Sequence, residues 1–157
     1  GGFDSDFFFF FFFFFLFWRI KNAGYNLYCL PQSQVFHIGG GTLPKHNPRK
    51  TYLNFRNNLF LLYKNLPKSL LLKTFVFRIL LDWISLIQFF MQGKTADSRA
   101  VFRAHFSFIG QYKLLKEKRK ILMSFSSLPK HREIYQKSIV WDYFIRKKRK
   151  FSDLDFD

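Results

Sequence analysis

The residues best suited to chemistry are His37 and the glycine loop that follows it, Gly39-Gly40-Gly41-Thr42. An imidazole at a strand end beside exposed backbone N–H groups can meet a metal-bound diphosphate: the nitrogen acts as ligand and the amides as donors. The same residues also fit an ordinary histidine ahead of a flexible loop. No Gly-Lys-Ser/Thr follows the glycines, so this is not a P-loop. His46 and His105 have no partner at metal-ligand spacing, and no zinc site is supported. Arg49, Lys50 and Arg56 follow closely, suiting either a clamp on phosphate oxygens or a solvated helix start. Upstream, Asp4-Ser5-Asp6 sets two carboxylates one residue apart, directly before nine consecutive phenylalanines, Phe7 to Phe15.

That Phe block alternates on no face, carries no polar group, and is a β-aggregation hazard if exposed. Beyond it, Arg19-Ile20-Lys21-Asn22-Ala23-Gly24 reads as a helix end, with basic residues in the last turn and Gly24 as the left-handed stop. Asn26 to Leu30 and Gln34 to Ile38 read as two short strands that carry His37 to the edge of the glycine loop. Residues 42–52 form a loop with Pro44 and Pro48. From Tyr52 the period becomes helical: Tyr52, Phe55, Leu59, Leu62 and Tyr63 share a face, with Arg56, Asn57 and Lys64 off it.

Pro67 separates this helix from a long one over 69–92. There Thr74, Arg78, Asp82, Ser85, Gln88 and Gln92 form a narrow polar stripe on an otherwise apolar surface. Arg78 and Asp82 are i,i+4 partners, worth a few tenths of a kcal/mol if exposed. Lys73, Arg78 and Asp82 weigh against a membrane-spanning helix and favour one lying at an interface or docked on a core. Gly93 breaks it. Thr95 or Asp97 caps a helix to about Ile109, Lys113 to Met123 forms a basic helix, and a last amphipathic segment surrounds Trp141. Cations fill Arg146 to Lys150, and the acidic end from Ser152 is expected to fray.

The chain has 157 residues, 26 Lys and Arg against 10 Asp and Glu, and a net charge of +16. Of these, residues 94–150 hold sixteen cations and four acids, a field that attracts nucleic acid, anionic lipid or sugar phosphates. The lone Cys29 forbids an intrachain disulfide and is best read as a small buried hydrophobe. No cationic n-region or cleavage site opens the chain, and Phe7 to Trp18 falls short of the roughly 20 residues that span a bilayer. Gly1-Gly2 starts in mid-pattern without Met, which reads as a fragment.

Three blocks together resemble the C-terminal half of a family 2 glycosyltransferase. They are Gly2-Phe3-Asp4-x-Asp6-Phe7-Phe8, then Leu16-x-Trp18-Arg19-Ile20-Lys21-Asn22-Ala23-Gly24-Tyr25, then His37-x-Gly39-Gly40-Gly41-Thr42. The run Asn47-Pro48-Arg49-Lys50-Thr51-Tyr52-x-x-Phe55-Arg56-Asn57-Asn58 is similar to bacterial members with helical C-terminal extensions. The resemblance implies an α/β fragment, the end of a GT-A nucleotide-sugar-binding domain over 1–50, followed by a mainly helical, basic, membrane-associating extension over 51–150 and a disordered acidic tail over 151–157. It implies inverting transfer from a nucleotide-diphosphate sugar to a saccharide or lipid-linked acceptor, assisted by a divalent metal, Mg or Mn. It places Asp4 and Asp6 on the acceptor side and makes Trp18 and Arg19 loop anchors. His37, Gly39, Gly40, Thr42, Arg49 and Arg56 become diphosphate or metal contacts, with His37 the metal ligand.

One departure dominates. The family carries an acidic pair, one further residue and another acid just before its Trp-Arg. Those positions are Phe12, Phe13 and Phe15 here, and a benzyl group accepts no proton. The Phe run replaces residues without shifting the frame; a thymine homopolymer, which encodes only Phe, is one origin for it. The donor-binding half with its Asp-x-Asp is also missing, so the chain alone is expected to transfer no sugar. The expected setting is cytoplasmic, peripheral on the inner face of the cell membrane, with no specific nucleic acid partner. The alternative is a non-enzymatic basic amphipathic module that binds anionic membrane or nucleic acid.

Overall fold

The computed structural model describes Asp4, Asp6, Phe7, residues 11–36, residues 47–125, Tyr135 and residues 137–155. Its described elements are α1 (Phe11–Asn22), α2 (Pro48–Asn65), α3 (Lys68–Met91), α4 (Thr95–Gly110), α5 (Tyr112–Ser124), α6 (Ile139–Phe144) and a 3₁₀ turn, Phe151–Asp153. Two compact units result, Gly1–Ser126 and Ser127–Asp157.

Local chemistry explains the helix ends. Asn47 caps α2 by accepting the Arg49 N–H at 2.8 Å, and Pro48 sits at the first helical position, where its missing N–H costs nothing. Leu66 is extended ahead of Pro67, whose ring disfavours a helical predecessor, and α3 starts immediately after. Gly24 (φ 86) ends α1 with the paired bonds Tyr25 N–H to Ile20 O and Gly24 N–H to Lys21 O. Gly93 (φ 73) ends α3 in the same way, through Lys94 to Phe89 and Gly93 to Phe90.

In the first unit α2 is the central helix, contacted by α1, α3, α4 and α5. Phe7, Phe15, Phe60, Leu61, Tyr63 and Leu115 form the buried cluster, with Trp18, Leu71, Phe75, Phe108 and Leu122 packed against it. Tyr63 meets Phe108 edge-on at 5.5 Å, and Phe75 lies 5.1 Å from Phe108. Such aromatic pairs contribute about 0.5–1.5 kcal/mol each beyond their buried area. Arg119 of α5, itself buried, donates to the carbonyls of Tyr63 and, at 2.6 Å, Leu66. It thereby satisfies the C-terminal end of α2, whose last carbonyls have no partner within the helix.

The second unit is small. Ser138 caps α6, and the buried Asp142 accepts from Tyr135 and from Arg146 at 3.2 Å. The Tyr135 hydrogen bond, outweighing desolvation, holds the Asp142 carboxyl below its usual range, with Arg146 and Lys148 adding to it. That same bond pushes the Tyr135 hydroxyl up to about 12.

The α/β expectation is overturned: the described residues are 71% helical and contain no strand. Residues 25–30 and 33–36 have no ladder partner among the described residues, and Tyr28, Val35 and Phe36 are exposed. Their β-favouring composition had suggested strands, but a strand exists only through pairing. Cys29 is exposed, not buried as its composition had suggested. The acidic end, expected to fray, forms a turn as far as Asp153, whose carboxylate accepts the backbone N–H groups of Arg149 and Lys150.

Asn57 and Lys64, assigned from their spacing to the polar side of α2, are fully buried. A helix packed on by four others has no free side to give them. The α3 stripe is also reversed from a surface helix over Thr74 to Ser85, while Gln88 and Gln92 at its end are exposed. Asp82 is buried and Arg78 and Ser85 are half-buried, whereas Leu72, Val76, Phe77, Leu80, Trp83, Ile84, Ile87, Phe90 and Met91 are exposed.

Candidate functional site

Asp4 and Asp6 meet two lysines from distant parts of the chain. The Lys64 ammonium lies 2.8 Å from Asp4 Oδ2 and also contacts Asp6 Oδ2. Lys118 of α5 reaches Asp6 Oδ1 at 2.7 Å and Asp4 Oδ1 at 3.7 Å. Arg56 adds a guanidinium bond to the Asp6 carbonyl at 2.7 Å. The Lys64 ammonium also lies over two aromatic rings, 4.9 Å from Phe7 and 5.4 Å from Phe15. Desolvation pushes the Asp6 carboxyl up, but the hydrogen bonds and charges of Lys118 and Lys64 outweigh it and hold the group below its usual range.

This arrangement neutralises two carboxylates with two cations. Lys64 stands where a cation bridging Asp4 and Asp6 would stand, so these two carboxylates do not fit a metal; His37, the ligand the resemblance implies, lies outside the described residues. Among the described residues no group of three His, Cys, Asp or Glu could hold one.

A second polar cluster joins α3 to α4. Asp82 lies 2.7 Å from Arg78 Nε and 3.2 Å from His105 Nε2. Neither nitrogen is aligned for a hydrogen bond, so Arg78 and Asp82 form an ion pair by distance and His105 lies in polar contact with it. The His–Asp pair resembles part of a nucleophile-activating set, but the nearby hydroxyls are committed: Ser85 donates to Leu81 O and Ser98 to Leu86 O. The cluster is a tie between helices.

A third feature is a cleft of about 570 Å³ between the starts of α2 and α4, lined by Pro48, Arg49, Tyr52, Ala96, Arg99, Ala100 and Arg103. Tyr52 is fixed by its hydroxyl on Ser107 at 3.1 Å, and Arg103 lies 5.6 Å from its ring. Asp97, the nearest acid in sequence, takes the Thr51 hydroxyl and does not line the cleft.

The sequence-derived site residues therefore separate. Asp4, Asp6 and Arg56 come together with Lys64 and Lys118, while Arg49 joins Arg99 and Arg103 elsewhere. Trp18 packs on the core, and the Arg19 guanidinium sits 5.5 Å from the Phe15 ring. His37, Gly39, Gly40 and Thr42 lie outside the described residues, as does the side chain of Phe12. Phe13, the other base position, is 57% exposed on α1. Sequence reasoning missed Lys64, Lys118, Arg99, Arg103 and Arg119. The one available signal was Asp4-x-Asp6 itself, two adjacent acids in a cationic chain that must find partners. No protein-family model matches this chain, and no characterised protein or solved structure is significantly similar to it.

Proposed function

We propose that this chain is the C-terminal part of a family 2 glycosyltransferase whose helical body docks on an anionic membrane surface, on the cytoplasmic side, where a lipid-linked or nascent saccharide acceptor is reached. The ordered motif blocks around Asp4-x-Asp6, Trp18-Arg19 and the glycine loop support the family reading. The observation that carries the docking is the inverted α3. Arg78, Asp82 and Ser85 turn inward, with Asp82 against His105 of α4, and nine large apolar side chains from Leu72 to Met91 face out. Phe102, Phe106 and Ile109 of α4 add to the exposed apolar surface. An apolar face of this size marks an interaction surface. On a chain of net charge +16, acidic lipid complements it, each nearby Lys or Arg contributing about 1 kcal/mol. No described helix is long and apolar enough to cross a membrane, so the mode proposed is peripheral.

Co-sedimentation with phosphatidylglycerol-containing and with neutral vesicles, across a salt series, tests the docking. Binding to the anionic vesicles that weakens with salt without vanishing is expected, because the apolar contact is not screened. Retention on single-stranded DNA with no vesicle binding would instead establish the nucleic-acid module. The family reading is tested by sequencing the coding region upstream of Gly1, which should encode a nucleotide-binding α/β half with its own Asp-x-Asp.

A further inference from the structure

We propose that the cleft between α2 and α4 binds a phosphate monoester or diphosphate group through Arg49, Arg99 and Arg103. This inference rests on the cleft and is independent of the glycosyltransferase reading.

Three guanidinium side chains from two helices line one concavity, and no carboxylate lines it with them. Among the described residues none of the three has an ion-pair partner. Asp4, Asp6, Asp82, Asp142 and Asp155 are all engaged by other cations, so none of them meets these three guanidinium groups. Converging like charges repel one another, and a multivalent anion relieves that repulsion. Guanidinium forks suit phosphate oxygens, which they meet with two parallel bonds.

The cleft is also built to hold its shape. Tyr52 is pinned by Ser107, which takes a further bond from Gln111 at 3.1 Å, so the ring beneath Arg103 is fixed. Arg99 is anchored through Nε to the Thr95 carbonyl at 3.4 Å, leaving its terminal nitrogens for a ligand. Ala96 and Ala100 keep one wall low, and Ala100 is buried under it. About 570 Å³ admits a small phosphorylated molecule or a lipid headgroup.

The test is calorimetric titration of the full chain with inorganic pyrophosphate, beside binding to vesicles carrying phosphatidic acid or, at matched surface charge, phosphatidylserine. The variants are R99A/R103A and R99K/R103K, with K147A/K148A in the second unit as charge control. Circular dichroism confirms that each is folded, which is expected because all these side chains but Lys148 are exposed. Pyrophosphate binding that falls at least tenfold in R99A/R103A, partly recovers in the lysine pair and is unchanged in the control supports the site with a soluble ligand. The same pattern in a preference for phosphatidic acid over phosphatidylserine supports it with a lipid headgroup. If neither appears, or if K147A/K148A loses as much as R99A/R103A, the proposal is overturned and the arginines are only part of a diffuse positive surface.

Discussion

The Lys64 ammonium lies 2.8 Å from Asp4 Oδ2, with the Lys64 side chain wholly removed from solvent. A buried ammonium is tolerated only when its charge is met, and here two carboxylates and two aromatic faces meet it. The contact joins the chain start to the end of the central helix across 60 residues. Lys64→Ala should therefore destabilise the first unit by about 3 kcal/mol or more, since it leaves desolvated carboxylates short of a partner. Lys118→Ala removes a partly exposed cation from the same acids and should cost about 1 kcal/mol or less. Urea unfolding compares the two, and equal midpoints would show that the buried lysine is not the keystone of the cluster.

The same cluster sets an acid limit. Asp6 is held below its usual range when folded, so its contribution is fully present above the unfolded value of about 4. That contribution is lost as pH falls through about 4 toward the folded value, where the protonated acid no longer pairs with Lys64 and Lys118. Thermal midpoints measured between pH 7 and pH 2.5 should drop for the parent chain in this window. Asp6→Asn should start lower at pH 7 and show a shallower acid limb. Parallel curves would assign the acid sensitivity to other carboxylates.

Arg119 makes a comparable link at the same end of α2. Its guanidinium donates to Tyr63 and Leu66 carbonyls, and desolvation lowers its pKa against the opposing influence of Tyr63. Arg119→Ala should cost about 2 kcal/mol, the scale of a lost charged hydrogen bond. Arg119→Lys should recover only part of that, because one ammonium cannot span both carbonyls as the fork does. Denaturant midpoints of the three chains give the order directly.

Helix ends were the most legible part of the fold because their signals are local. Pro67, Gly24 and Gly93 each act on their own backbone and stop or start a helix regardless of distant neighbours. Asn47-Pro48 acts in the same way, but the apolar period begins only at Tyr52, and the loop expected over 42–52 is helix from Pro48 onward. Facing was far less legible. The apolar spacing of α2 marked one side, but four surrounding helices bury Asn57 and Lys64 as well. On α3 the polar stripe was visible in sequence, yet its direction depends on His105 of α4, which no periodicity reveals. The strand expected at 26–30 and, over its described residues 34–36, the second one failed for a related reason: β-favouring residues describe a willingness to pair and do not supply the partner. Of the site, Asp4, Asp6, Arg49 and Arg56 were singled out from the sequence, and the fold brings Asp4, Asp6 and Arg56 together while Arg49 lies elsewhere. Their companions Lys64, Lys118, Arg99 and Arg103 are ordinary cations until the fold assembles them.

The outward face of α3 gives a prediction that separates binding from stability. Leu80 and Ile84 are both well exposed, so Leu80→Glu/Ile84→Glu should change unfolding stability by no more than about 0.5 kcal/mol per site. On anionic vesicles the same pair should lower partitioning by at least tenfold, because it removes apolar insertion and adds two negative charges. Unchanged partitioning would show that the cationic helices hold the membrane without α3.

The phenylalanine run divides by burial in a way that makes it testable residue by residue. Phe15 is 1% exposed and stacks on Phe7 at 4.6 Å, whereas Phe13 and Phe14 are 57% and 62% exposed on the opposite side of α1. A helix turns by about 100° per residue, so three neighbours in one homopolymer meet different surroundings. Glu is also a better helix former than Phe by a few tenths of a kcal/mol. Phe13→Glu/Phe14→Glu should therefore leave the thermal midpoint unchanged or slightly raised, and should reduce self-association in light scattering. Phe15→Ala opens a cavity beside Phe7 and should cost about 3–5 kcal/mol, while Phe15→Leu, which keeps most of the volume apolar, should cost less. If Phe15→Ala melted like the surface pair, α1 would not be packed on Phe7 and Lys64.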